Sequence, residues 1–285
     1  MRATRSRFAW ILLVAGVALG VSATGAAAQN DPLAAALLRI DAEDYVGAIE
    51  LLEPLAEGGN SVAQFNLGEL YAGGRGVDRD YAEAARLYRL AAEAGLAVAQ
   101  NALAILYLNG NGVEENAEIA VAWQRLAAEQ QFARAELGLG LRYVDGVGVE
   151  QDFDAALAWF TRASDQGLPE AHYQIGLLYA NGQGVPQDYE TAFDWTQLAA
   201  DKGFAPAHYT LGVAYATGRG VETDDAQAFY HFFLAYILSG QQAGGPLFAV
   251  AQDAARMLTP EVGQEMLDAA EAWIAGFEAA AGGLD

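Results

Sequence analysis

A strict 36-residue period constrains this chain more than any other feature. Tyr71, Tyr107, Tyr143, Tyr179 and Tyr215 stand 36 residues apart, and each precedes a Gly-x-Gly-Val loop. The loops are 74–77, 110–113, 146–149, 182–185 and 218–221. Four intervals pass without an insertion, which chance rarely produces. A chain built this way buries a core by stacking self-similar units, each supported by its neighbours.

Each unit reads as two helices. Ala63, Leu67, Leu70 and Tyr71 fall at i, i+4, i+7 and i+8, so they share one helical face. The Gly-x-Gly stops that helix, because glycine tolerates the left-handed conformation past a helix end. Asp80, Asn116, Asp152, Asp188 and Asp224 form one column. Their side-chain oxygens suit the N-cap of a second helix. Two alanine columns follow: Ala84, Ala120, Ala156, Ala192 and Ala228, then Ala91, Ala127, Ala163, Ala199 and Ala235. Small residues on one face allow close helix approach. Trp123, Trp159 and Trp195 supply bulk between them, and Gly95, Gly167 and Gly203 close the second helix.

The string Leu67-Gly68-x-x-Tyr71, Gly74-x-Gly76-Val77, Asp80, Ala84, Ala91-Ala92 and Gly95 resembles the Sel-1-like repeat, a relative of the tetratricopeptide repeat. The resemblance covers five units: 61–96, 97–132, 133–168, 169–204 and 205–240. It implies an all-α, right-handed superhelical solenoid of 36-residue helix-turn-helix repeats. Departures are local. Ala104 replaces the helix glycine, Leu87 and His231 replace the tryptophan, and Gln131 and Ser239 replace the closing glycine. Residues 29–60 align as a degenerate capping repeat, with Tyr45 one period before Tyr81. Residues 241–278 read as capping helices, with Thr259-Pro260-Glu261 as a helix start, and 279–285 as a tail.

The N-terminus has the layout of a secretory signal peptide. Arg2, Arg5 and Arg7 precede an uncharged apolar run, residues 8–21, and Ala26-Ala27-Ala28 offers a cleavage site. A spanning helix needs about 20 apolar residues, more than this run has. The expected product starts after Ala28, is periplasmic or secreted, and keeps no stable membrane insertion. Cysteine is absent, so its core holds without disulfides. The formal charge of −22 becomes −25 once three arginines and no acids leave with residues 1–28. That field repels nucleic acid and favours a basic partner, and it also serves solubility.

The residues offer no catalytic constellation. His172 and His208 are one period apart in a column that also holds Gln64, Gln100 and Glu136. Two ligands do not complete a metal site, so they read as polar interhelical residues. His231 reads as a packing residue. The Gly-x-Gly loops lack the preceding strand of a dinucleotide site and occur five times, which suits a structural turn. Asp145, Asp152 and Asp154 lack the alternating pattern of a calcium loop. No nucleophile elbow or thiol is present, and no one pair of acids stands out for glycoside chemistry. The expectation is a non-enzyme with no cofactor.

A ligand groove is placed on the first-helix face opposite Ala63, Leu67 and Tyr71. One column runs Phe65, Asn101, Leu137, Tyr173 and Tyr209. The next runs Glu69, Ile105, Leu141, Leu177 and Val213. The third adds Asn109, Asp145, Asn181 and Thr217. The resemblance implies the same, since matching columns line the tetratricopeptide groove. An apolar strip beside a polar one suits a peptide segment of another protein. The apolar columns equally suit packing between repeats. The leading expectation is an adaptor or scaffold, such as a regulator of an envelope complex. The alternatives are a cell-wall or β-lactam-type binder or enzyme, which the resemblance links to cysteines absent here, and a purely architectural solenoid.

Overall fold

The computed structural model describes residues 31–239 together with Val250. The expected signal peptide, the capping helices of 241–278 apart from Val250, and the tail lie outside the described residues. Twelve α-helices and no strand occur among the described residues. Helices α1 (Pro32–Asp41) and α2 (Tyr45–Glu57) come first. Then follow α3 (Ser61–Gly73), α4 (Tyr81–Glu93), α5 (Ala97–Asn109), α6 (Ala117–Glu129) and α7 (Ala133–Asp145). These belong to a compact unit that ends at Gln151. The second unit begins at Asp152 and holds α8 (Phe153–Asp165), α9 (Pro169–Asn181), α10 (Tyr189–Ala200), α11 (Ala205–Thr217) and α12 (Asp225–Leu238). Among the described residues no helix is long and apolar enough to cross a membrane.

Helices of about 13 residues are marginal alone in water, so capping and packing decide their stability. The Asp column caps as its chemistry dictates. Asp80 Oδ1 accepts from the Ala82 and Glu83 amides at 2.9 and 3.0 Å, and Asp188 Oδ1 from Glu190 and Thr191. The hydroxyl of Thr191 also donates to Asp188, and these bonds hold its carboxyl below the usual range. The cap residue also closes the loop. Its amide donates to the tyrosine carbonyl, from Asp80 to Tyr71 at 3.0 Å and from Asp224 to Tyr215 at 3.1 Å.

The two loop glycines have different tasks. Gly74 and its equivalents take the left-handed C-cap. The second glycine is also left-handed, and it lies against the preceding repeat's second helix. A Cβ on Gly112 would stand 2.1 Å from the Tyr81 carbonyl oxygen, and one on Gly220 2.0 Å from that of Tyr189. Only glycine permits this approach. The Gly-x-Gly is a packing device.

Both alanine columns are buried throughout. In the first unit Ala84 and Ala91 pack with Phe65, Tyr88, Leu103 and Leu106, and in the second Phe160, Ile175, Leu178 and Leu211 fill the interior. The tryptophans are only half-buried; Arg162 lies over the Trp159 ring at 4.6 Å. The helix glycines make room for side chains of the following helix. A Cβ on Gly68 would meet the Tyr88 ring at 2.7 Å, and one on Gly212 the Phe232 ring at 2.7 Å. Where Ala104 takes that place, the ring column holds Gln124 instead.

Candidate functional site

The third predicted column faces solvent. Asn109 and Asp145 in the first unit, and Asn181 and Thr217 in the second, are exposed. Their polar groups partly serve their own helices: Asn109 Nδ2 donates to the Ile105 carbonyl at 2.9 Å and Thr217 Oγ1 to that of Val213 at 2.7 Å. The middle column is intermediate. Ile105 is 44 % exposed, while Glu69, Leu141, Leu177 and Val213 are half-buried.

In the first column Phe65 and Tyr209 meet their own repeat's second helix while Tyr173 meets the next repeat, and exposure varies along the chain. Phe65 is buried against the Tyr88 ring, with centroids 5.6 Å apart. Asn101 is buried as well, and Leu137 is half-buried. In the second unit Tyr173 sets its ring edge-on to Phe204 at 5.4 Å and shares a hydrogen bond with Thr210 at 3.2 Å. Tyr209 sets its ring at a tilt against Phe232, with centroids 5.6 Å apart, and is still 40 % exposed. Phe65 and Asn101 are therefore interior residues. The accessible positions are Ile105, Asn109 and Asp145 in the first unit and, in the second, Asn181, Tyr209 and Thr217.

Two polar pairings at these columns are not apparent from the columns alone. The Tyr88 hydroxyl donates to Glu69 Oε1. Burial raises the Glu69 carboxyl above its ordinary range, and that hydrogen bond and Arg75 oppose the rise. Burial and the Glu69 charge push the Tyr88 phenol upward. The second is a pair of imidazoles. His208 Nδ1 and His231 Nδ1 are 3.0 Å apart and buried, with rings stacked at 5.3 Å. The pairing joins residues 23 apart, the interval that also joins Phe65 to Tyr88 and Tyr209 to Phe232. That recurrence is the signal that could have found it.

Gln64, Gln100, His172 and His208, four members of one column, tie their first helices to the second helix before each. Gln64 Nε2 donates to the Ala56 carbonyl at 3.0 Å and Gln100 Nε2 to that of Ala92 at 3.1 Å. His172 Nδ1 meets Ser164 Oγ at 2.7 Å, and His208 hydrogen-bonds the Ala200 backbone. Each tie spans eight residues, so the interhelical role expected for this column is what the structure displays. Burial lowers the His172 pKa, with Lys202 adding to the effect. Among the described residues no group of three or more His, Asp or Glu side chains gathers as metal ligands do.

Comparison with known proteins accords with this geometry. The chain is similar to the crystal structure of a Sel1 repeat protein from Oxalobacter formigenes, with 30 % identity and a TM-score of 0.71. That match covers 84 % of this chain and 96 % of the other. It is also similar to c5321, a protective antigen of uropathogenic Escherichia coli strains displaying an SLR fold, with 28 % identity and a TM-score of 0.64. That match covers 90 % of this chain and 53 % of the antigen, so the chain spans about half the antigen's length. A comparison with curated proteins yields no match. The Sel1 repeat model matches residues 61–96, 97–132, 133–168, 169–204 and 205–239, and the chain belongs to the Sel1 repeat family.

Proposed function

We propose that the protein is an exported adaptor that binds a segment of another protein on the first-helix faces of its repeats. One observation carries this reading. Ile105 and Tyr209 expose apolar surface while exposed amide and hydroxyl groups stand one turn or two away on the same helix. Apolar anchors flanked by hydrogen-bonding side chains are what an extended or helical peptide requires. The formal charge of −22 favours a partner of net positive charge and disfavours nucleic acid.

The test compares faces. Ile105→Ser and Tyr209→Ser remove the anchors, while Leu90→Ser and Leu198→Ser remove leucines of similar exposure from second helices. Capture of a partner from an envelope fraction should fall at least tenfold with the first pair and stay unchanged with the second. The reverse pattern sinks the reading. Export is tested separately: the chain recovered outside the cytoplasm should begin at Gln29 by intact mass. Recovery with Met1 retained would refute cleavage.

A further inference from the structure

We propose that the buried His208–His231 pair is a proton-sensitive latch for the last described repeat, releasing the Tyr209 end of the interaction face in mild acid. The assignment to that face rests on the adaptor reading; the latch itself does not.

His208 lies on α11 and His231 on α12, 7 % and 4 % exposed, with Nδ1 facing Nδ1 at 3.0 Å. His208 occupies the column in which Gln64 and Gln100 donate to carbonyls eight residues back, and it bonds the Ala200 backbone in the same way. With Nδ1 turned to His231, that bond falls to Nε2–H. A neutral imidazole has one N–H, so His208 Nδ1 is a bare acceptor and His231 Nδ1–H is the donor. The Tyr215 ring stacks on His231 at 5.6 Å, and Tyr230 meets it edge-on at 5.3 Å. The arrangement is complete when both rings are neutral.

Added protons destabilise it. The first can enter at His231 Nε2, with the Nδ1–H donor kept in place, or at His208 Nδ1, after which His231 must shift its proton to Nε2; either way a cation is left in a buried pair. A second proton sets two cations 3.0 Å apart. The charged and titratable groups turned toward the pair among the described residues are few. Asp201, at the end of α10, favours the charged forms of both rings; Tyr215 and Tyr230 pack their rings against His231. Lys202 acts on His172. Burial outweighs Asp201, and His231 is lowered to about 4, with His208 adding to the effect.

The sign follows. The folded state refuses a proton that the unfolded chain accepts near 6.5. The stabilisation is full above that pH and is lost as pH falls toward the folded value. For His231 alone, lowering the pH from 7 to 5.5 should shift the closed-to-open ratio of α11 and α12 about eightfold. The interaction face is one residue away on each helix, where the Tyr209 ring packs against Phe232. Opening the imidazole contact separates the same two helices.

The repeat supplies its own control substitutions. His231→Trp restores the residue of that column in three other repeats, and His208→Gln restores the column's amide tie. His172→Gln removes the third histidine, whose lowered pKa would contribute a separate acid response. Amide hydrogen exchange of the full chain without any partner, corrected for intrinsic rates, reads α11–α12 against α3–α4 at pH 7.0 and 5.5. In wild type and His172→Gln, protection of α11–α12 should drop about eightfold relative to α3–α4. In His231→Trp and in His208→Gln the drop should shrink, because one buried histidine remains in each, and in the double variant it should vanish. A flat wild-type response, or a full drop persisting in the double variant, overturns the latch. Exchange measured without a partner separates this outcome from the adaptor reading, which partner capture at pH 7.0 tests.

Discussion

The repeat of α3 and α4 and the repeat of α11 and α12 share one frame and fill it with opposite chemistry. Both have the tyrosine, the paired loop glycines, the Asp cap and the two alanine columns. In the earlier repeat the ring pair Phe65–Tyr88 sits beside a carboxyl, Glu69. In the later one the pair Tyr209–Phe232 sits beside two imidazoles. Burial favours the neutral form in each. An acid then holds its proton more tightly, and an imidazole refuses one. With Glu69 raised above 4.5, the earlier repeat gains stability as pH falls through the folded value toward 4.5. The later repeat is fully stable above about 6.5 and weakens as pH falls toward the lowered histidine values. The columns that fix geometry are interchangeable between repeats, and the few positions beside them set local chemistry.

The frame is the costliest thing to break. Gly112→Ala and Gly220→Ala force a methyl into a backbone carbonyl and strain a left-handed residue, so each should cost on the order of 3 kcal/mol in urea unfolding. Gly95→Ala, left-handed but with open space around it, should cost only about 1 kcal/mol. Equal losses at Gly95 and Gly112 would show that close approach does not matter. Next, Gly68→Ala and Gly212→Ala displace the Tyr88 and Phe232 rings and should each cost about 1–3 kcal/mol. A large loss at one and none at the other would break the equivalence of the two repeats.

The chemical contrast is smaller and more diagnostic. Glu69→Gln keeps the shape while removing the buried charge. It should raise stability of the first unit at pH 7 and abolish its gain in acid, read by exchange in α3 and α4. A variant less stable than wild type at pH 7 would mean that the Tyr88 bond outweighs desolvation. The smallest effect is expected at the surface, where Ile105→Ser should change unfolding by less than about 1 kcal/mol.

Much of the frame was legible because packing imposes it at a fixed interval. The Gly-x-Gly loops, Asp caps and alanine columns each answer one steric or hydrogen-bonding demand that recurs every 36 residues. The site was less legible. Phe65 and Tyr209 occupy one column, yet one is buried and the other 40 % exposed. Their exposure depends on surroundings that the column itself does not encode. The imidazole pair escaped because His208 and His231 belong to different columns, and reading down each column separates them. Reading across a repeat, from first helix to second at an interval of 23, joins them. The tryptophans illustrate a further limit: size suggests core, while the structure leaves them half-buried, with Arg162 covering the ring of Trp159.

Site-specific photo-crosslinking tests the central claim most directly. A benzophenone side chain at Ile105 or Tyr209 samples the first-helix faces, and one at Leu90, Leu126 or Leu198 samples the second helices, at comparable exposure. The account predicts that one partner is trapped from Ile105 and Tyr209 and not from the three leucine positions. Trapping confined to the leucine positions would contradict it.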